Sequence, residues 1–96
     1  MAVSTTTQSR QAMVVIKNRL GLHARPAMSF VDVANTYTSD IRVQKDKQVV
    51  DGKSIMQMMM LAATQGTGLS ISATGPDAEE AVQALVALVE RKFDEE

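Results

Sequence analysis

His23 is the only histidine in the 96-residue chain, and it stands in the run Gly21-Leu22-His23-Ala24-Arg25-Pro26-Ala27. A proline just inside an apolar-periodic stretch marks a helix start, which places the imidazole at or just before a helix N-terminus. Unpaired N–H groups and the positive end of the helix dipole favour an anion there, and Arg25 adds a fixed guanidinium in the first turn. Ala24 and Arg25 are thus the expected phosphate cradle, with Gly21 freeing the approach to the helix. A neutral imidazole nitrogen is a competent nucleophile near neutral pH, and a phosphohistidine is labile enough to hand its group onward. The residue types therefore fit a histidine that is transiently phosphorylated, whereas a lone histidine read without its neighbours is more often a surface or capping residue. Arg25 in a first turn opposes the helix dipole, a local cost that favours a role in pairing with phosphoryl oxygens over an idle surface position.

A second cluster follows at Gly52-Lys53-Ser54-Ile55-Met56. Ser54 is placed to cap a short helix, with Gln57 at capping-box spacing. Ile55, Met56, Met58, Met59, Met60, Leu61, Ala62 and Ala63 make that helix apolar almost all round, more than one buried face requires. On a helical wheel Met58, Leu61 and Ala62 share one side, and Ile55, Met56 and Met59 another. Unbranched thioethers suit a surface that must accept several partners, although the same composition also fits a helix buried on both faces.

The elements that position these residues are legible in the periodicity. Ala12 to Lys17 is a β-branched run suited to a strand, and Asn18 to Leu22 is the loop leading to the histidine. A first helix is expected over about Ala24 to Asn35, with Ala27, Phe30, Val31 and Ala34 on one apolar face. Ile41 and Val43 alternate with Arg42 and Gln44, and a polar turn at Lys45-Asp46-Lys47 leads into a second short strand near Gln48 to Asp51. The Ser54 helix is expected to run to about Thr64 and to end at Gly66 and Gly68. Leu69, Ile71 and Ala73 form a further half-buried strand. Gly75-Pro76-Asp77 then opens the last helix, with Asp77 and Glu80 at capping-box spacing and Ala78, Ala81, Val82, Leu85, Leu88 and Val89 as its buried stripe. The order β-α-β-β-α-β-α predicts an α+β domain, a four-stranded antiparallel sheet with three helices on one face and the other face solvated. Periodicity leaves a ferredoxin-like arrangement open.

Length and composition bound the rest. One core, not two, fits this length, and a two-domain enzyme with its own cleft is disfavoured. No cysteine is present, so a disulfide framework or thiolate metal site is excluded, and a single histidine makes a protein zinc site improbable. The net charge of −1 with mixed signs argues weakly against nucleic-acid binding, and 3% aromatic residues leave few platforms for base stacking. No run approaches the ~20 apolar residues that span a bilayer, so no membrane insertion is expected. Residues 1–11 read as a flexible extension without a signal-peptide core, which implies a cytoplasmic protein, and residues 12–96 as the folded domain.

The two clusters together resemble the HPr family, the histidine-containing phosphocarriers of the bacterial phosphoenolpyruvate-dependent sugar phosphotransferase system. The histidine before Ala-Arg-Pro-Ala is similar to that family's phosphorylation-site motif, and the segment around Ser54 to its regulatory serine segment, at the expected distance. The resemblance runs from about Gln11 to Phe93 and implies an open-faced β-sandwich. It also implies that His23 takes phosphate on Nδ1 from the phosphorylated first enzyme of the system and donates it to sugar-permease subunits. It assigns Ile55, Met56 and Met59 to partner docking and Ser54 to regulatory phosphorylation. Lys53-Ser54-Ile55-Met56 resembles the substrate segment of the ATP-dependent HPr kinase/phosphorylase, with Gln57 where many members have glycine. No cofactor is implied, and a monomer is expected because a carrier presents one small face to donor and acceptor in turn. The alternatives are a nitrogen-type or regulatory phosphocarrier, an interaction protein acting in transcriptional control through phospho-Ser54, and a ferredoxin-like small-molecule binding domain.

Overall fold

The computed structural model describes residues 8–95. Four strands and three helices follow in the order β1 (Gln8–Val15), α1 (Ala24–Ala34), β2 (Asp40–Lys45), β3 (Gln48–Asp51), α2 (Ile55–Met60), β4 (Gly68–Gly75) and α3 (Ala78–Glu90). The sheet order is β1-β4-β2-β3, with every pairing antiparallel. β1 is therefore an edge strand, whereas a ferredoxin-like sheet seats its first strand in the interior.

Alternation along the strands separates two faces. One row across the sheet runs Ala12, Ile71, Val43, Val50, and the next runs Gln11, Ser72, Arg42, Asp51. The first row faces the helices and joins a core in which Phe30, Ile41, Met58, Leu69, Ile71 and Leu85 are fully buried. The second is polar and lies on the open face, beside exposed Met13 and Val49. Period-two alternation with one wet side is the pattern of an open-faced antiparallel sheet, and the architecture is the α+β fold that the element order predicts.

The buried stripes of α1 and α3 fall where the periodicity puts them: Pro26, Ala27, Phe30, Val31 and Ala34 in one, Ala78, Ala81, Val82, Leu85, Leu88 and Val89 in the other. Burying Phe30 alone contributes about 1.5–3 kcal/mol. Pro26 costs α1 no hydrogen bond, because first-turn N–H groups have no intrahelical partner.

Four local expectations are corrected. β1 begins at Gln8, so Gln8 to Gln11 are paired with β4 rather than part of a flexible tail; residues 1–7 of that expected extension lie outside the described residues. α2 ends at Met60, not near Thr64, because Ala62 adopts a φ of 49° and the Lys45 ammonium donates to the Leu61 carbonyl at 2.9 Å. Ala62 is consequently exposed although it shares a side of the helical wheel with buried Met58 and Leu61, and Ala63 joins the core in its place. Asp77 occupies the N-cap position of α3 without capping it, since its carboxylate accepts from the backbone N–H and hydroxyl groups of both Thr38 and Ser39. Those hydrogen bonds, the Ser39 hydroxyl foremost, lower the Asp77 carboxyl to about 2 and tie the start of α3 to the segment entering β2.

Candidate functional site

The loop between β1 and α1 is shaped by what it must touch. Leu22 N–H donates to the Ala63 carbonyl at 2.8 Å, which brings the loop against the segment following α2. Gly21 has a φ of +72°, and a Cβ there would sit 2.6 Å from the Ala63 carbonyl oxygen and 2.9 Å from Thr64 Cα. Only glycine fits both demands. Asn18 is fully buried beneath the loop, and its Nδ2 donates to the Gly21 carbonyl at 2.7 Å.

His23 is the N-cap residue of α1, with extended backbone and no hydrogen bond from its side chain to the helix. Its imidazole is turned instead toward the end of the chain: Nε2 lies 3.0 Å from Oε1 of Glu95. The same carboxylate oxygen accepts from Asn18 Nδ2 at 2.9 Å. The hydrogen bond from His23 holds the Glu95 carboxyl below its ordinary range against the opposing effect of partial burial, with further help from Asn18 and the charge of Arg25. The His23 side chain remains 38% exposed. It opens onto a depression of about 510 Å³ lined also by Arg19, Leu20, Ala24, Arg25 and Glu95. No acidic residue occupies the first turn of α1, so no side chain of that turn offsets the positive end of the helix dipole. Arg25 is exposed and makes no hydrogen bond or ion pair among the described residues. A nucleophilic ring nitrogen, two guanidinium groups and a helix N-terminus thus border one open site.

Glu95 reaches the site through an unusual turn. After α3, Lys92, Phe93 and Asp94 all have positive φ, between 55° and 62°. Left-handed backbone costs a non-glycine residue about 1–2 kcal/mol. Burial of Phe93, only 6% exposed, offsets about 1.5–3 kcal/mol of this, less than the three residues cost together. The Arg91–Asp94 ion pair and the contacts of Glu95 with His23 and Asn18 add to the anchoring.

Ser54 caps α2 as expected: its Oγ accepts from Gln57 N–H at 3.2 Å. The reciprocal half of a capping box is not formed, because Gln57 Oε1 accepts from Asp51 N–H at 2.9 Å instead. Beside Ser54 the outer face of α2 presents Ile55, Met56 and Met59, all exposed, while Met58 is buried. Met60 of the same helix is exposed as well, as are Leu20 in the loop before α1 and Met28 on α1.

A family model described as "PTS HPr component phosphorylation site" matches residues 10–91. The chain belongs to the HPr family. It is an HPr-type phosphocarrier of the phosphotransferase system, with relatives in more than one branch. Over 83 residues it is 49% identical to the phosphocarrier protein HPr of Pseudomonas aeruginosa, covering 85% of this chain and 92% of that protein. Over 91 residues it is 44% identical to the phosphocarrier protein NPr of Proteus mirabilis, covering 94% and 99% respectively. The crystal structure of HPr-C-His from Thermoanaerobacter tengcongensis superposes with a TM-score of 0.88 at 49% identity, over 91% of this chain and 98% of that one. The HPr match ends at Arg91, before Glu95. Sequence reasoning found His23, Ala24 and Arg25 but missed Asn18, Arg19 and Glu95. Asn18 carried no signal beyond its loop position, and no local pattern brings a glutamate five residues past α3 back to the start of α1.

Proposed function

We propose that His23 accepts a phosphoryl group on Nδ1 from the phosphorylated first enzyme of the phosphotransferase system and passes it to sugar-permease subunits. The carrying observation is the half-exposed imidazole at the N-cap of α1, engaged through Nε2 and facing a depression edged by Arg25. Phosphoryl transfer asks mainly for in-line approach and charge stabilisation, so a carrier can leave much of the transition-state contact to its partners. In this reading Arg25 pairs with the phosphoryl oxygens and the N–H groups of Ala24 and Arg25 complete the cradle. Ile55, Met56 and Met59 dock donor and acceptor, each binding the same face of a monomer in turn in the cytoplasm.

Ser54 is the regulatory site of this reading and a substrate for an HPr kinase/phosphorylase. A phosphate there adds roughly two negative charges beside Ile55 and Met56, opposing docking by repulsion and desolvation. A nitrogen-type carrier is the second reading, favoured by 44% identity over nearly the whole of an NPr. It shares the His23 chemistry and differs in the acceptor. Incubation with phosphoenolpyruvate and a purified first enzyme, with His23→Ala in parallel, tests the transfer itself. Subsequent addition of sugar-permease and nitrogen-type acceptor subunits separates the two branches by which one removes the label.

A further inference from the structure

We propose that Glu95 is a positioning residue for phosphoryl transfer, holding the His23 ring with its proton on Nε2 so that Nδ1 carries the attacking lone pair. The inference rests on the reading of His23 as the phosphoryl acceptor. An ionised carboxylate can only accept hydrogen bonds, so the 3.0 Å contact with Glu95 Oε1 requires the proton on Nε2. Nδ1 makes no hydrogen bond among the described residues. Asn18, buried and donating to the same oxygen at 2.9 Å, fixes the carboxylate in place and favours its ionised form. The depressed Glu95 carboxyl agrees with that assignment. The chain reaches this contact through three successive residues of positive φ anchored by Phe93, and a backbone outlier that brings a carboxylate to both His23 and Asn18 points to a functional constraint.

The chemistry balances without any added group. The Nδ1 lone pair forms the new N–P bond while the bond between phosphorus and the donor atom of the phosphorylated first enzyme breaks, its electron pair returning to that atom. The His23 ring then carries Nε2–H and a formal positive charge, which the Glu95 carboxylate offsets from the far side of the ring. Glu95 touches Nε2 and leaves the phosphoryl oxygens to Arg25. The charged groups facing the ring are Glu95, Arg25 and Arg19. The arrangement uses the logic by which a carboxylate orients a reacting imidazole elsewhere, here with the ring as nucleophile rather than base.

The test compares the unsubstituted chain with Glu95→Gln and Glu95→Ala in two measurements. One is the rate of phosphorylation by phosphoenolpyruvate and purified first enzyme. The other is the ¹⁵N signature of the neutral His23 ring, which reports how the proton divides between its nitrogens. Glu95→Ala is expected to slow phosphorylation roughly tenfold, as loss of such an orienting partner does elsewhere, and to lower the Nε2–H share. Glu95→Gln keeps an acceptor oxygen without the charge, so it restores the ring signature and only part of the rate. An unchanged rate in Glu95→Ala, or a slower rate with an unchanged ring signature, overturns the inference. Absence of phosphate from the unsubstituted chain overturns the phosphocarrier chemistry of His23 and this inference with it, whereas normal phosphorylation of both variants removes Glu95 alone.

Discussion

Asn18 and Glu95 meet at 2.9 Å although 77 residues of chain separate them, and the oxygen they share is the one that faces His23. Asn18 therefore couples the conformation of the Gly21 loop to the orientation of the imidazole. Its replacement should affect stability and transfer together. Asn18→Ala leaves the Gly21 carbonyl without its side-chain donor and is expected to lower stability by about 1–3 kcal/mol in urea unfolding. Asn18→Asp is expected to be worse at neutral pH, since it sets a carboxylate against the Gly21 carbonyl and the Glu95 carboxylate. Its deficit should shrink as the pH falls and the introduced group protonates. A deficit in Asn18→Asp that does not depend on pH would contradict this placement of charges.

Asp77 gives a second pH dependence, with the sign fixed by its depressed carboxyl. A group whose pKa falls on folding contributes stability that is fully present above its unfolded value and lost as the pH drops through its folded one. For Asp77 that window runs from the ordinary 3.8 down to about 2. Asp77→Asn is expected to be less stable than the unsubstituted chain at neutral pH. The difference should narrow across the same window as the native carboxylate protonates. Urea midpoints measured from neutral to acid pH check this, and parallel curves throughout would refute it.

Arg25 separates function from fold. Its side chain is exposed and without a partner among the described residues, so Arg25→Lys should leave stability within about 0.5 kcal/mol. It keeps the charge but loses the planar fork that pairs with two phosphoryl oxygens. Slower phosphoryl transfer at unchanged thermal stability is the expected outcome. Unchanged kinetics would remove Arg25 from the mechanism.

What the sequence made legible divides along the range of the interactions. The stripes of α1 and α3 and the alternation of β2 and β4 are set by neighbours three, four or two residues away, and they appear where the periodicity places them. Features decided by distant partners do not. Gln8 to Gln11 are polar, yet pairing with β4 makes them strand. The apolar run continues beyond Met60, but Lys45 on another strand engages the Leu61 carbonyl where α2 stops. Asp77 has capping-box spacing, and its carboxylate is claimed by Thr38 and Ser39. The site follows the same rule. His23, Ala24 and Arg25 form one local motif, while Glu95 arrives through a turn that non-glycine residues adopt only under tertiary constraint.

The exposed face of α2 predicts a kinetic split. Met56 is 78% exposed beside the N-cap serine, a large apolar side chain that contributes little to this fold. Met56→Ser is expected to raise KM for the phosphorylated first enzyme roughly fivefold, about 1 kcal/mol of docking, with kcat nearly unchanged. Ser54→Asp should shift KM in the same direction through charge, to a smaller extent than phosphate itself. Steady-state kinetics with the first enzyme as varied partner would contradict the docking assignment if both variants kept the unsubstituted KM.

Phosphoryl transfer through His23 is read most directly by intact mass after incubation with phosphoenolpyruvate and an active first enzyme. One added phosphoryl group, labile to acid and absent from His23→Ala, is the predicted result. No mass increase, or an acid-stable phosphate that persists in His23→Ala, would contradict it.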